Sequence, residues 1–292
     1  MTICDLLVKV TAVDKTVRAL AAVTTGLANE ARARHHTAPT ATAALGRALT
    51  ASLLLSSMLK ENEKLSLQFI GNGPLRGIFA EANGQGEARG FVYYPRTHLP
   101  LKKGKLDVGG AVGDGTLTVI RDQPWRKEPY RSILPLVSGE IGSDIAHYLL
   151  NSEQIPSVVS LGVFVEPSEV VVAAGGFVIQ VMPGASADTI AQLEANIAEA
   201  KPVSQMVRDG ATPAEILADV LGGFRPTAIS EVPLRFACRC SRERVMDTLI
   251  ALGRAEIVDL LANEGKATVT CEFCNEQYII DRGELESLLA SS

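Results

Sequence analysis

Four of the five cysteines fall in the last quarter of the 292-residue chain, as two close pairs. The first pair is Cys238 and Cys240, the second is Cys271 and Cys274, and thirty residues separate the pairs. In a reducing compartment, clustered thiols are typical of metal ligands or redox groups rather than structural bridges. Four thiolates brought together match the tetrahedral ligand set of Zn²⁺, with sulfurs at ~2.3 Å. The spacing therefore predicts one Zn²⁺ ion bound by these four cysteines.

Two features of the arrangement are unusual for a zinc site. The Cys-x-Cys pair is tighter than the spacing of about two to four residues that paired zinc ligands favour. The thirty-residue spacer is longer than the usual range of about 15–20, although two predicted helices fill it. All four histidines lie far away in the sequence: His35, His36, His98 and His147. We therefore expect a site made of cysteine sulfurs alone.

The pairs fit either an inert zinc site that holds a small domain together or a redox switch. Each pair is close enough in sequence to form a local disulfide, and strained disulfides are the labile, regulatory kind. A structural zinc contributes on the order of 10–16 kcal/mol, whereas a core of about 60 residues rarely supplies more than ~3–5 kcal/mol. Loss of the metal should therefore unfold the domain. Nearby arginines favour the oxidant-reactive thiolate: Arg235, Arg239, Arg242 and Arg244.

The segments that precede the cysteines alternate short strands with helices, without a βαβ rhythm. Helices are predicted at 25–36, 40–60 and near 143–151. Strands joined by tight turns are predicted at 6–13, 16–23, 64–70, 75–82, 87–94, 115–121, 133–138, 158–166 and 170–181. Because tight turns join antiparallel neighbours, the predicted fold class is α+β, with an antiparallel sheet core domain over residues 1–181.

Residues 182–232 change in character to short helices interrupted by proline and glycine. Ser186 is a predicted helix cap, and a capping box at 212–215 starts another helix. That helix carries an apolar stripe of Ile216, Leu217, Val220 and Leu221. The stripe fits simple packing onto a core or a detachable linker that covers another surface. We predict a helical linker over 182–232 and a zinc-binding redox-switch domain over 233–292.

Composition and charge exclude several function classes. Apolar residues make up 47% and charged residues 21%, which is typical of a globular protein. The net charge is −5 overall, and residues 233–292 hold seven Lys and Arg against ten Asp and Glu, which opposes phosphate binding. The apolar stretch at 48–59 is shorter than the ~20 residues that cross a bilayer. Residues 1–5 lack the basic start of a secretory signal. We expect a cytoplasmic protein with no nucleic acid or membrane partner.

With these motifs in place, the sequence resembles the redox-regulated heat-shock holdase of the bacterial cytosol, the 33-kDa chaperone family. The resemblance rests on the two cysteine pairs, within 236–241 and 271–278, and covers nearly the whole chain. Four further segments carry it: TAALGRALTASLLLSSMLK at 42–60, GNGPLRG at 71–77, KLDVGGAV at 105–112 and AAGGFVIQVMPG at 173–184. The four cysteines show no departure from the family pattern, whereas Cys4 lies outside it and is assigned no role.

The resemblance implies an ATP-independent chaperone rather than an enzyme, with unfolded or oxidatively damaged proteins as its clients. In the reduced, inactive state one Zn²⁺ would be bound by Cys238, Cys240, Cys271 and Cys274. Oxidative stress would then form two disulfides, eject the zinc, and unfold the terminal domain and the linker. The apolar surface exposed in this way would capture clients, and the oxidised form would be a homodimer.

Two alternatives come from other classes of protein. A thiol-disulfide oxidoreductase would use Cys271 and Cys274 as its exchange pair, but such motifs usually start a helix in a βαβ setting. A strand is predicted before this pair instead. A zinc-ribbon nucleic-acid-binding protein would need a basic terminal domain, and residues 233–292 are acidic.

Overall fold

A computed structural model of the chain describes residues 4–12, 16–60 and 62–291. The chain divides into two compact units, Met1–Ala237 and Cys238–Ser292. The strands of the first unit are β1 Leu6–Ala12, β2 Val17–Val23, β3 Lys64–Gly71, β4 Gly77–Asn83, β5 Glu87–Val92, β6 Gly115–Asp122, β7 Tyr130–Pro135, β8 Ser157–Val165, β9 Val171–Val181, β10 Pro226–Pro233 and β11 Arg235–Phe236. Its helices are α1 Thr25–His35, α2 Pro39–Ser56, α3 Val108–Val112, α4 Gly142–Asn151, α5 Ala187–Glu199, α6 Val203–Arg208 and α7 Pro213–Val220.

Two sheets form the first unit. A five-stranded sheet has the order β10-β1-β2-β9-β8, and a six-stranded sheet has the order β11-β5-β4-β3-β6-β7. All strand pairs are antiparallel except the two-residue pairing of β11 with β5. The predicted α+β class with antiparallel sheets is confirmed. The turn predicted between the strands at 6–13 and 16–23 lies outside the described residues.

Helix α2 is the central apolar element of this unit. It contacts strands of both sheets, and every residue except Pro39 and Arg47 is buried. Its Ala- and Leu-rich sequence suits this position, because small side chains let strands approach and leucines fill the remaining space. The helix ends at Ser56, earlier than the predicted 60. Because nearly all of its residues are buried, α2 is a core helix rather than an amphipathic surface helix.

Helices α5, α6 and α7 pack on the face of the five-stranded sheet opposite α2. Their apolar residues, among them Leu193, Met206 and Ile216, share one buried cluster with residues of β1, β2 and β9. The predicted caps are confirmed: Ser186 accepts from the backbone of Thr189, and Thr212 forms a capping box with Glu215. The apolar stripe of α7 therefore packs onto a core in this structure.

The segment that follows the linker helices is a strand, β10, whereas helices alone were predicted over 182–232. Strand β10 pairs with β1, from Leu6 opposite Pro233 to Ala12 opposite Pro226. Beyond it, the backbone of Leu234 donates to Asp5 and that of Arg235 donates to Gly86. Gly86 has φ +83°, and a Cβ there would collide with the carbonyl oxygen of Pro233. The chain therefore returns to both sheets before it reaches the first cysteine pair.

The second unit is built of three helices and one hairpin. Its elements are α8 Arg242–Leu252, α9 Arg254–Asn263, β12 Ala267–Thr270, β13 Gln277–Ile280 and α10 Arg282–Ser291. Strands β12 and β13 are antiparallel. Seven buried apolar residues form its core: Val245, Leu249, Ile257, Ala267, Ile280, Leu285 and Leu288. Across both units, none of the described helices is long and apolar enough to span a bilayer.

Candidate metal centre

The first cysteine pair lies just before helix α8. Cys238 and Cys240 sit in an irregular segment, and Ser241 directly follows them as the N-cap of α8, where its side chain accepts from the backbone N–H of Arg244. The cap satisfies one of the unpaired N–H groups at the helix start. It therefore fixes the direction in which the chain leaves Cys240.

The second pair lies in a tight turn between β12 and β13. The backbone N–H of Cys271 donates to the carbonyl of Glu276 at 2.9 Å, and that of Asn275 donates to the carbonyl of Cys271 at 2.7 Å. Asn275 has φ +60°, a left-handed conformation that asparagine tolerates better than most residues. This turn places the thiols of Cys271 and Cys274 on the same side of the hairpin end.

The structure brings the four predicted site residues together. All four Sγ atoms lie within 4.8 Å of one another. The Sγ atoms of Cys238 and Cys271 are 3.7 Å apart, and those of Cys240 and Cys274 are 3.4 Å apart. A tetrahedral ion with sulfurs at ~2.3 Å requires sulfur separations of about 3.8 Å, whereas a disulfide requires about 2.05 Å. None of these four cysteines forms a disulfide in the described structure, and together their sulfurs can hold one metal ion.

The environment of these thiols is partly buried. Cys274 is buried and the other three are half-buried. Desolvation raises the pKa of Cys271 and of Cys274, and the neighbouring thiols of Cys238, Cys240 and Cys271 raise the pKa of Cys274 further. A bound cation reverses this preference, since a coordinating thiol is deprotonated. The protein alone therefore disfavours the thiolate form of Cys271 and Cys274, and a bound positive ion would stabilise it.

Tyr278 is a site residue that sequence reasoning did not single out. Its hydroxyl donates to Sγ of Cys240 at 3.2 Å. This hydrogen bond raises the pKa of Tyr278. Tyr278 lies on β13, four residues after Cys274, and the register of the hairpin turns its side chain toward the first pair. The sequence holds no signal for this contact, because it joins two segments that are distant in the chain.

The arginines near the first pair are mostly engaged elsewhere. Arg235 pairs with Glu87, and the guanidinium of Arg242 donates two hydrogen bonds to the carboxylate of Glu284. Arg244 donates to the carbonyl of Arg239. These contacts stabilise the surroundings of the site and leave less positive charge for the sulfurs than the sequence suggests. Cys4, outside the site, is exposed.

Comparison with known proteins connects this geometry to a family. The family described as "Hsp33 protein" matches residues 5–281 of the chain. The 33 kDa chaperonin of Bacillus subtilis (strain 168) is 46% identical over 97% of this chain and 98% of its own length. The 33 kDa chaperonin of Geobacillus sp. (strain WCH70) is 47% identical over 97% of both chains.

A solved structure agrees with these matches. The crystal structure of the 33 kDa chaperonin (heat shock protein 33 homolog) from Thermotoga maritima superposes with a TM-score of 0.92 and 36% sequence identity, covering 98% of both chains. The similarity in sequence and in fold spans both compact units and the four-cysteine cluster. On this evidence the chain belongs to the Hsp33 family of chaperones.

Proposed function

We propose that this chaperone is a redox-regulated, ATP-independent holdase, zinc-bound and inactive when reduced. The observation that carries the proposal is the gathering of four thiols, from two segments about thirty residues apart, at the edge of a seven-residue core. The donor set and the sulfur separations suit Zn²⁺ bound by Cys238, Cys240, Cys271 and Cys274. These contacts would tie the start of α8 to the β12–β13 hairpin.

Oxidation within each pair would remove this connection. Each thiolate pair gives two electrons to one hydrogen peroxide, which takes up two protons and leaves as two waters, while a Cys238–Cys240 or Cys271–Cys274 disulfide forms. Two sulfur separations of 3.7 and 3.4 Å run between the pairs. Disulfides within the pairs would therefore replace links between segments by local links, and the released metal would no longer stabilise the unit.

The linker helices offer the surface that activation would expose. The apolar faces of α5, α6 and α7 cover one face of the five-stranded sheet. Helices of this length do not persist in water without packing partners. Their release would expose apolar surface on the helices and on the sheet, and large apolar patches bind other apolar chains. We therefore divide the chain functionally into a core over 1–181, a linker over 182–232 and a redox switch over 233–292.

The partners of the active form follow from this surface. Its clients would be unfolded or oxidatively damaged proteins, and its exposed apolar area would favour a homodimer. The acidic balance of residues 233–292 supports neither nucleic acid nor an anionic membrane as a partner. The clustered cysteines, which form no disulfide among the described residues, support a reducing, cytoplasmic location. The oxidoreductase alternative is less favoured, because Cys271 follows strand β12 rather than starting a helix.

The test is light scattering from a thermally unfolding enzyme, with reduced protein or with protein treated with peroxide at mild heat, and without nucleotide. We expect suppression of aggregation by the oxidised form only. Equal suppression by both forms would reject redox control, and failure of both would reject the holdase. Cys4→Ser serves as the matched control and should behave like the natural chain. Gel filtration of the oxidised form tests for the homodimer.

A further inference from the structure

A cavity of about 130 Å³ lies in the first unit, beside the C-terminal end of α2. A single buried water needs a cavity volume of ~10–15 Å³, and an apolar cavity of ~150 Å³ admits a molecule as large as benzene. Arg18, Gln180, Arg121 and Glu153 provide its polar lining. The cavity is therefore large enough for a small organic molecule.

One side of the cavity is a polar row across the five-stranded sheet. Arg18 of β2 lies opposite Gln180 of β9, which lies opposite Ser157 of β8. The Nε and Nη2 atoms of Arg18 donate to Oε1 of Gln180 at 3.0 and 2.5 Å, and Nε2 of Gln180 donates to Ser157 at 3.4 Å. Gln180 is fully buried. The guanidinium of Arg18 is therefore held by a buried amide.

A second arginine reaches the cavity from the six-stranded sheet. Nη2 of Arg121 lies 2.7 Å from the carboxylate of Glu153 and donates to the hydroxyl of Tyr148 at 3.1 Å. The Nε atom of Arg121 is buried and has no hydrogen-bond acceptor among the described residues. A buried donor without an acceptor costs free energy, and this nitrogen is shielded from the cavity, because it has almost no accessible surface.

The charge around the cavity is unbalanced. Lys9 lies near Arg18 and donates to the carbonyl of Ser57 at the end of α2. Burial and repulsion from Arg18 lower the pKa of Lys9. Within the described parts of the chain, Glu153 is the one carboxylate that lines the cavity, and neither Lys9 nor Arg18 has a carboxylate partner. Among the described residues, two positive charges therefore lie here without a carboxylate partner, in a protein whose net charge is −5.

The remaining walls are apolar, and they decide what kind of anion fits. They are formed by Leu55, Met58, Leu59, Leu149 and Ile155. An inorganic anion would leave these side chains against empty space or water, whereas an aliphatic chain would fill it. We propose that this cavity binds a short-chain aliphatic carboxylate, with its carboxylate at the guanidinium of Arg18 and its chain against the leucines and Met58.

The test is a titration of the reduced full-length protein, with ¹³C-labelled methionine methyl groups, against hexanoate. We expect saturable movement of the Met58 resonance, with a dissociation constant of about 1 mM or lower. The Met206 resonance should not move, because Met206 is buried in the separate cluster under the linker helices. 1-Hexanol and sodium sulfate are the matched ligands. Equal binding of 1-hexanol would reject the role of the arginines, and equal binding of sulfate would reject the aliphatic ligand.

A pair of variants tests the residue assignment. Arg18→Leu should weaken hexanoate binding by about tenfold or more, since it removes a charge-assisted hydrogen bond. Arg131→Leu, an exposed arginine on β7, should bind like the natural protein. An unchanged Met206 resonance shows that Arg18→Leu is folded. The wild-type comparison of hexanoate with 1-hexanol decides the matter if that variant does not fold. No movement of Met58 at saturating hexanoate would overturn the proposal.

Discussion

The two compact units are stabilised by different kinds of contact. In Met1–Ala237, a helix buried along nearly its whole length contacts strands of two sheets. In Cys238–Ser292, seven buried apolar residues and one group of four thiols hold three helices and a hairpin. A large apolar core is insensitive to oxidants, whereas a small unit that depends on sulfur ligands is not. The difference shows how one chain can contain a unit that stays folded under oxidants and a second unit whose folding depends on the state of its thiols.

The largest effect should come from removing two thiols. Cys271→Ser/Cys274→Ser should lose its zinc and unfold residues 238–292, because the metal contributes on the order of 10–16 kcal/mol and the small core about 3–5 kcal/mol. Metal analysis and hydrogen exchange by mass spectrometry measure both outcomes. Exchange should become fast in the second unit while residues 1–181 stay protected.

The control for this experiment is Cys4→Ser, which should keep one zinc per chain. Full zinc occupancy in the double variant would contradict the ligand assignment. If both units stayed equally protected from hydrogen exchange after the zinc was lost, the conclusion that the second unit depends on its metal would be wrong.

A smaller effect, in the opposite unit, should follow from Leu49→Ala. Leu49 lies on α2 with no exposed surface. The cavity left by the substitution should lower the free energy of unfolding by about 2–5 kcal/mol. Trp125, the single tryptophan, lies in the first unit and reports denaturant unfolding there by fluorescence. Zinc content should not change.

Leu101→Ala is the matched control, since Leu101 is 62% exposed and should shift stability by less than about 0.5 kcal/mol. Loss of zinc from Leu49→Ala would show that the units are not stabilised independently.

The linker should respond more mildly. Thr212→Ala removes the N-cap of α7 and should destabilise this helix by about 1 kcal/mol. We expect faster hydrogen exchange in α7 and activation at a lower peroxide dose or temperature. Thr212→Ser keeps the capping hydroxyl and should restore both values. If exchange in α7 became faster while the peroxide dose and temperature needed for activation stayed the same, the stability of α7 would not control activation.

The smallest expected effect is a loss of α7 stability at acid pH. Hydrogen bonds from the backbone and side chain of Thr212 lower the pKa of Glu215 below its ordinary 4.5. Because the folded pKa is depressed, this carboxylate stabilises α7 above pH 4.5 and loses the contribution as the pH falls through the folded value. Exchange protection of α7 in the natural chain should therefore approach that of Glu215→Gln under acid conditions. A constant difference between them across this range would contradict the capping contribution.

Local signals predicted most of the fold. The hairpins β1–β2, β3–β4 and β8–β9 follow from apolar runs on either side of turn residues, and the capping box of α7 follows from Thr212 and Glu215. Strand β10 was missed because its partner β1 lies at the other end of the chain, and no local pattern reports that pairing. Helices α3 and α6 are too short for a clear periodicity.

The candidate site likewise contains residues that the sequence identifies and contacts that only the fold creates. The four cysteines stand out because thiols are rare and because these four fall in two close pairs. The contact of Tyr278 with Cys240 and the ion pair of Arg242 with Glu284 depend on how α8 packs beside the hairpin. Side-chain contacts between distant segments follow from the fold, and the sequence alone does not specify them.

The return of the chain through β10 and β11 gives the linker helices a particular topology. Helices α5 to α7 lie between β9, which pairs with β2, and β10, which pairs with β1. A linker that leaves the sheet is therefore a closed loop anchored at both ends, and not a free tail. Its recapture is intramolecular, with an effective concentration set by the loop length and independent of protein concentration. The same topology makes a single proteolytic cut within the loop a one-way event, since either half could then drift away from the surface that it covers.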